Sequence, residues 1–384
     1  MKTFKTKLLL TKEQRTYFNK AFGIRRWTWN WAVAQYFKEA ENGMFPTYFM
    51  LQKLLNNNEV LDPAYSWLSE VNSMTRENAL RDFGLSVKAW TQLQAKSRRG
   101  VQKVNPEKGK PQFKKKGKST DSFRLGSKGN PVKYVSPHFV SMTRVRGYKP
   151  FRLQTVEKVT CLKGVEVKTT TVSREHGDYF IAFTFERTNR NARSKGTGTV
   201  GIDLGIKHAV VTHDGVESKV FDIPESFKKM DELIALRNRR LARTQKGSKR
   251  HVLRLIQLQR AQARKANIRK DFLHKLTTWL VSSYDTIKVD DFSFQGFLGI
   301  SRGNKKANKK AHEVAPYMFK LMLEYKSQER GNTLTYIPVG TPTTKTCSSC
   351  GQIHEMNLSD RIFKCDCGLE INRDINAAIN VYNY

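Results

Sequence analysis

The four cysteines near the C-terminus constrain the fold of this chain more than any other feature. They form two close pairs, Cys347 with Cys350 and Cys365 with Cys367, and a glycine follows each pair. A glycine there allows the tight turn that brings two thiolates onto one ion, so the spacing predicts a tetrahedral zinc ribbon. The second pair has one intervening residue instead of two and needs a tighter turn. Two disulfides or buried thiols are the alternatives, and the reducing cytoplasmic setting that we expect for this chain disfavours disulfides.

The residues after the ribbon predict a short closing helix, 372–384. Its apolar residues recur with helical spacing, and Asn372 is placed to cap its N-terminus. Asp374 falls in the first turn, where the helix dipole favours a carboxylate. Small residues on the same side, Ala377 and Ala378, would let the helix approach a sheet closely. An ordinary capping acid is the alternative for Asp374.

Charge dominates the composition. The chain carries 69 Lys and Arg against 34 Asp and Glu, a formal net charge of +35. Such an excess opposes compaction unless a polyanion is present, so nucleic acid is the expected partner. A ribosomal or membrane-surface protein is the alternative, but no apolar run reaches the length of a membrane span and no basic amphipathic anchor is evident. We therefore expect a soluble, cytoplasmic protein that does not bind membranes.

The N-terminal half alternates between strand, helix and strand patterns. The first ten residues alternate weakly, residues 11 to about 95 follow helical periodicity, and 123–186 contains short alternating runs separated by Gly and Pro. Tryptophans in the helical part are predicted to be mainly core, with base stacking as the alternative. Positive residues here are candidate nucleic-acid contacts, although a solvated basic linker is an equal alternative for the last three: Arg25, Arg26, Lys114, Lys115 and Lys116.

Acids in apolar strands mark the C-terminal half. Asp203 lies between two glycines in a predicted strand that continues into a hairpin, and Asp290 ends another apolar strand. A buried carboxylate is unfavourable unless it binds a cation, although Asp203 could simply begin a turn. With Asp374 on the closing helix, the acids form the arrangement of an RNase H-like fold. Such acids hold two divalent ions for phosphodiester hydrolysis, and oxygen ligands favour Mg²⁺ or Mn²⁺.

Two further basic segments accompany these acids. Residues 225–275 read as a basic helical hairpin with Gly247 near its turn, and 301–310 reads as a lid over a cleft or as a plain solvated loop. We expect both to face nucleic acid. Their candidate contact residues are Lys249, Arg250, Arg254, Lys305 and Lys306.

Four motifs together make the chain recognisable. They are the Gly-Ile-Asp-Leu-Gly run at 201–205, the basic run at 266–275, the first cysteine pair with its flanks at 344–351, and the Asn-Arg-Asp run at 372–378. In combination they closely resemble the TnpB (OrfB) family of transposon-encoded proteins, which are related to the compact type V CRISPR effectors. The strong resemblance covers 199–384, and the N-terminal half matches in layout only.

The resemblance implies an RNA-guided DNA endonuclease. A guide RNA transcribed from the transposon end would direct a RuvC-like nuclease to double-stranded target DNA beside a short target-adjacent motif, and a separate transposase would be encoded nearby. Asp203 and Asp374 match the first and third catalytic acids of the family. Asp290 stands where most relatives have glutamate and is shorter by one methylene. A nuclease-deficient RNA-guided DNA-binding repressor and a protein-only transposase are the rival functions.

The same resemblance implies a mixed α/β, β-barrel and helical architecture. The predicted parts are a wedge-like β-barrel, a helical recognition lobe inserted into it, an RNase H-like (RuvC) nuclease domain with the basic hairpin, an inserted zinc ribbon and the closing helix. Their predicted bounds are, in that order, 1–10 with 101–190, 11–100, 196–345, 346–371 and 372–384.

Overall fold

The computed structural model describes residues 2–61, 63–100, 105–117, 119–126, 131–145, 147–186, 196–205, 207–290, 309, 312–357 and 360–384. The chain divides into two compact units, Met1–Asn189 and Arg190–Tyr384. Among the described residues, none of the helices combines the length and the apolar character that crossing a membrane would require.

The first unit is built on an antiparallel seven-stranded sheet with the order β2-β6-β7-β1-β5-β4-β3. Strand β1 runs along the chain's start and lies inside the sheet, where it pairs with β7 over seven residues and with β5 at its end. The strands are β1 (Lys2–Leu9), β2 (Asp121–Gly126), β3 (Val132–Ser136), β4 (Phe139–Met142), β5 (Phe151–Thr155), β6 (Val167–Glu175) and β7 (Asp178–Phe185).

This sheet corrects the expected β-barrel. Closure would require the two edge strands, β2 and β3, to pair with each other, and no such pairing occurs in the part of the chain that the structure describes. The strands predicted between 123 and 186 are present, but each edge strand has a single partner, β6 for β2 and β4 for β3. The sheet is therefore open.

Helices of the first unit cover one face of this sheet. They are α1 (Lys12–Glu41), α2 (Tyr48–Leu61), a 3₁₀ helix (Pro63–Glu70) and α3 (Met74–Arg98). A capping box between Thr11 and Gln14 starts α1, in which each side chain accepts from the other residue's backbone N–H. Phe18 of α1 packs on Phe123 of β2 with ring centroids 5.6 Å apart.

The tryptophans of α1 belong mainly to the core, as predicted. Trp29 and Trp31 are buried, and Trp27 packs against Trp67 with centroids 5.3 Å apart. Trp29 is buried on a different side of α1, because α3 and the segment before β2 cover that side. Its ring lies 5.6 Å from Phe83, and its Nε1–H donates to the Gln112 carbonyl.

The second unit is built on a five-stranded sheet with the order β10-β9-β8-β11-β12. The three strands β8, β11 and β12 are parallel, and β9 and β10 continue the sheet as the predicted hairpin, which turns at Asp214 and Gly215. The bounds are β8 (Thr199–Asp203), β9 (Val210–His213), β10 (Ser218–Phe221), β11 (Thr286–Asp290) and β12 (Thr333–Ile337).

The helices of this unit include the predicted basic hairpin. Helices α4 (Glu225–Ala242) and α5 (Lys249–Ser283) form it, and Gly247 in the turn between them has φ +84. The C-terminal part of α5 leaves the basic region and packs on the sheet through Leu273 and Leu280. Helix α6 (Pro316–Arg330) and strand β12 were not predicted, although Pro316 at the start of this helix and Gly331 after its end are ordinary boundary signals.

Helix α7 (Arg373–Asn383) packs directly on β8. Three residues on its inner side, Ala377, Ala378 and Val381, are completely buried. At the contact, a Cβ added to Gly201 would lie 2.3 Å from the Tyr382 nitrogen and 2.5 Å from the Ala378 oxygen. Both are backbone atoms that cannot rotate away, so glycine is required at this strand position. The predicted closing helix and its close approach to a sheet are confirmed.

We predict that Gly201→Ala lowers the free energy of unfolding by about 1–3 kcal/mol or more, because the added methyl overpacks two backbone segments. Gly23→Ala is the matched control. It lies inside α1 with no atom within 4 Å of the added Cβ, and should stabilise the helix by up to about 1 kcal/mol. Urea unfolding followed by circular dichroism measures both. A Gly201→Ala protein as stable as the unsubstituted chain would contradict the close contact.

Candidate functional site

Three acids occupy the ends of three elements of the second unit. Asp203 is the last residue of β8, Asp290 is the last residue of β11, and Asp374 is the second residue of α7. Strands β8 and β11 are adjacent and parallel, with Ile202 opposite Val289. The carboxyl ends of parallel strands meet at one edge of a sheet, which is where such folds build their sites. Asp203 and Asp290 therefore share that edge.

The third acid reaches the same edge through α7. Asn372 caps this helix, and its Oδ1 accepts from the backbone N–H of Asp374 at 2.9 Å and of Ile375 at 3.4 Å. This confirms the predicted cap and fixes the first turn. Because α7 packs on β8, its first turn brings Asp374 towards Asp203, and both residues are buried.

Electrostatics show that these acids act on one another. Burial, together with the charges of Asp374 and Asp290, raises the pKa of Asp203 to about 8 against a smaller opposing effect of Arg373. The Arg373 Nε lies 3.9 Å from Asp374 Oδ1. Like charges in a dry site disfavour ionisation, and a bound cation reverses that preference. The site is therefore a cluster of two buried acids and one half-buried acid, in a protein whose net charge is +35.

The spacing of the acids differs from that of a single-ion site. In the described part of the chain, one group of three or more Cys, His or acidic residues has all its ligand atoms within 4.8 Å of one another, and the acids do not belong to it. Carboxylates that hold two ions can stand further apart than that, because the ions themselves are separated by roughly 3.5–4 Å. The donor set suits hard cations such as magnesium and manganese.

Three polar residues that we did not predict support this cluster. Thr343, which is buried, donates through Oγ1 to Asp290 Oδ2 at 2.9 Å. Asn380 of α7 donates to the Thr343 carbonyl at 2.8 Å, and Asn376 donates to the Thr346 carbonyl at 2.7 Å. The one signal in the sequence was two asparagines four residues apart on the buried face of a helix, where apolar residues are normal.

The four cysteines are the group whose ligand atoms all lie close enough together for a single ion. All four Sγ atoms lie within 4.8 Å of one another, with Cys347 to Cys367 at 3.6 Å and Cys350 to Cys365 at 3.4 Å. Tetrahedral thiolates at about 2.3 Å from an ion stand roughly 3.8 Å apart, so the four residues fit one metal ion. All four are free cysteines, which removes the disulfide alternative. Strands β13 (Ile362–Lys364) and β14 (Glu370–Asn372) form the small hairpin that carries the second pair.

The predicted nucleic-acid contacts in the first unit fall into two groups. Arg25 pairs with Asp82 and Arg26 with Asp121, each at 3.0 Å, so their charges are engaged within the fold. Lys114 Nζ lies 3.2 Å from the centroid of the Trp29 ring, and burial together with the charge of Arg25 lowers the pKa of Lys114 to about 8 against the opposing charge of Asp82. Lys115 and Lys116 are exposed.

The remaining predicted contacts belong to the second unit. Lys249 and Arg250 are exposed at the start of α5, and Arg254 one turn later donates to Gln257 Oε1 at 3.0 Å. Lys305 and Lys306, with the expected lid around them, lie outside the described residues. The roles of all these residues remain predictions.

Three family models match segments of the chain. The OrfB model, described as "Probable transposase", matches residues 170–301, the Cas12f1-like TNB domain matches 317–381, and a helix-turn-helix domain of OrfB matches 1–43. In the structure the last segment forms strand β1 and the single long helix α1, so the described residues 2–43 contain no pair of helices joined by a turn.

Similar proteins match nearly the whole chain. A "Putative RNA-guided DNA endonuclease" of Streptomyces pristinaespiralis is 27% identical over 99% of this chain and 88% of its own length. A "Putative RNA-guided DNA endonuclease InsQ" of Escherichia coli (strain K12) is 26% identical over 99% of this chain and 91% of its own. A Cas12f1 protein, solved by cryo-electron microscopy in a complex with sgRNA and target DNA, shares the fold, with a TM-score of 0.58, 12% identity, and coverage of 98% of this chain and 84% of that one. These matches make the chain similar to the TnpB (OrfB) proteins over nearly its whole length.

Proposed function

We propose that this protein is an RNA-guided DNA endonuclease of the TnpB type. It would cleave DNA complementary to its guide RNA, next to a short target-adjacent motif, by two-metal-ion hydrolysis. The names of the two full-length relatives support this function. The observation that carries it is the burial of Asp203 with two further acids at one edge of a sheet, since a fold gains nothing from unneutralised acids there unless a cation binds them.

Asp203, Asp290 and Asp374 would hold the two ions, Mg²⁺ or Mn²⁺. The ions, when bound, supply a nucleophilic water and stabilise the leaving oxygen of the phosphodiester. Burial and the neighbouring acids favour the protonated form of Asp203, which would have to lose its proton to bind an ion. Thr343 donates to Oδ2 of Asp290 and so restrains the orientation of this carboxylate. This restraint matters because Asp290 has a shorter reach than the glutamate usual in the family.

The four cysteines would hold Zn²⁺ as a structural ion. Protein ligands fill all four positions, so this site has no open position for a substrate. The zinc site would also help to hold one of the acids in position. Asn376 receives the Ser348 N–H at 3.0 Å and donates to the Thr346 carbonyl, both of them beside Cys347. The first cysteine pair is thereby attached to the helix that carries Asp374, so zinc would brace the last acid.

Guide RNA and double-stranded target DNA would bind the basic surfaces. Lys115, Lys116, Lys249 and Arg250 are the best placed of the predicted contacts, because their side chains are exposed. Arg25, Arg26 and Lys114 would act mainly through the fold, since carboxylates or an aromatic ring already hold their charges. In this proposal the second unit contains the RuvC-like nuclease domain with its ribbon, and the first contains the wedge and the recognition helices.

The first prediction concerns cleavage. With a guide RNA and a matching supercoiled plasmid in Mg²⁺, we expect the unsubstituted chain to cut DNA and Asp203→Asn to be slower by about a thousandfold, which corresponds to about 4 kcal/mol of lost transition-state stabilisation. Asp271→Asn, a change to an exposed acid of α5 paired with Lys275, is the matched control and should cleave normally. Guide-dependent binding without any cleavage would instead favour the repressor, and binding of DNA without RNA would favour a protein-only transposase.

A second prediction concerns pH. The pKa of Asp203 is raised to about 8 from an ordinary value of 3.8, so its protonated form favours the folded state, fully below about pH 4 and no longer above about pH 8. In magnesium-free buffer at fixed zinc, the unsubstituted chain should therefore lose stability relative to Asp203→Asn as pH rises across this range. Urea unfolding at several pH values measures the difference, and Mg²⁺ at the high end should stabilise only the unsubstituted chain. If the free energy of unfolding changes with pH by the same amount in both proteins, the shared acid site is contradicted.

A third prediction concerns zinc. Purified protein should contain one Zn²⁺ per chain by mass spectrometry of the metal, because four thiolates converge on one position. Cys350→Ser should hold substantially less, and Cys161→Ser should hold the same amount, since Cys161 is a free cysteine of the first unit. Equal zinc contents in the two variants would remove the ribbon assignment.

A further inference from the structure

A histidine touches the cysteine cluster without belonging to it. His354 Nε2 lies 3.1 Å from Cys365 Sγ. Three other contacts fix the imidazole in this position. The His354 backbone N–H donates to the Lys345 carbonyl at 2.9 Å, its neighbour Ile353 forms a bridge with Thr346, and the ring stands edge-on to the buried Phe363 with centroids 5.7 Å apart. The side chain is therefore held against the sulfur by the fold of the ribbon.

The two cysteine turns contain different numbers of backbone amides. Each turn closes with a hydrogen bond from its glycine to the carbonyl of its first cysteine, from the Gly351 N–H to Cys347 at 2.9 Å and from the Gly368 N–H to Cys365 at 3.0 Å. The first turn has two residues between its cysteines, whereas the second has Asp366 alone and therefore contains one amide fewer. Shortening the turn by one residue removes one amide that could donate to a thiolate. His354 stands beside the sulfur of the shortened turn.

We infer that His354 donates a hydrogen bond from Nε2 to the Cys365 thiolate and takes the place of the amide that the one-residue turn lacks. A thiolate bound to a metal can only accept a hydrogen bond, so the imidazole must be the donor and carry its proton on Nε2. Donors of this kind orient the ligand and stabilise its charge from outside the ligand set. His354 is thus a positioning residue of the ribbon. In a cysteine turn with two intervening residues, a backbone amide would donate this hydrogen bond instead.

The geometry distinguishes this role from direct ligation. His354 is not among the residues whose ligand atoms all lie within 4.8 Å of one another, a set that the four cysteines complete by themselves. Tetrahedral zinc accepts four ligands, so a fifth has no place. A distance of 3.1 Å between nitrogen and sulfur is that of a hydrogen bond. The inference rests on the proposed zinc assignment. The experiment below distinguishes a failure of the role proposed for His354 from a failure of the zinc assignment.

The test measures zinc affinity of the full-length protein by competition with a chromophoric chelator of known affinity. Loss of a single outer hydrogen bond typically weakens metal binding by about tenfold to a hundredfold. We expect that loss for His354→Ala, with one Zn²⁺ still bound at saturation. His354→Gln, whose amide retains an N–H donor, should recover most of the affinity. Glu355→Ala is the matched control, because Glu355 pairs with Lys345 and is exposed, and it should bind zinc normally.

A compensating change tests the reason for the histidine. A glycine inserted between Asp366 and Cys367 restores a turn with two intervening residues and its second amide. In the His354→Ala background this insertion should raise zinc affinity again, whereas in the unsubstituted chain it should bring little gain. A histidine that serves only to pack on Phe363 would not be rescued by the insertion, and that result would overturn the inference.

Cobalt substitution reports the ligand set independently of affinity. With Co²⁺ in place of zinc, the unsubstituted chain and His354→Ala should show the same tetrahedral four-sulfur absorption bands. A change in these bands would make His354 a ligand and overturn the proposed role. Equal zinc affinities for the unsubstituted chain and His354→Ala would also overturn it, while leaving the ribbon intact. A chain that binds neither metal would refute the zinc assignment itself.

Discussion

The contact between α7 and β8 is the constraint on which the second unit depends. At Gly201 the backbones of a strand and a helix meet without a side chain between them. Helix packing on a sheet normally interposes side chains, which hold the two elements further apart. Here the short distance brings the first turn of α7 down to the end of β8, so Asp374 can share an environment with Asp203. A larger residue at 201 would push the helix away and would separate the two acids.

Hydrogen bonds connect α7 to the ribbon and to the neighbouring strand β11. Asn376 and Asn380 of α7 are bonded to the carbonyls of Thr343 and Thr346, and Thr343 in turn is bonded to Asp290. One short helix therefore connects three features: the first cysteine pair, the acid at the end of β11 and its own acid. The cysteine site and the acid cluster are separate in their chemistry, thiolate donors against oxygen donors, but they share this helix as a common support.

Much of this arrangement could be predicted from the sequence, and the residues show why. Periodicity and capping located the helix at 372–384, the small residues Ala377 and Ala378 indicated its close approach to a sheet, and cysteine spacing indicated the metal site. Interactions between distant residues could not be predicted in the same way. The bond from Thr343 to Asp290 joins positions 53 apart, and the contact of His354 with Cys365 depends on how the ribbon folds. The open sheet of the first unit depends similarly on which edge strands pair, a property that alternation within each strand does not encode. The ion pairs of Arg25 and Arg26 likewise depend on the carboxylates that α3 and β2 place beside α1.

The segment before β2 has a backbone that is already ordered by the fold. Asn30 of α1 accepts from the Lys114 N–H at 2.7 Å and donates to the Lys114 carbonyl at 3.0 Å, and Trp29 holds the Gln112 carbonyl. Ordering a flexible loop on association subtracts from affinity. A polyanion that reaches Lys115 and Lys116 meets a segment whose main chain has lost that freedom during folding, so only the two side chains remain to be ordered by the encounter.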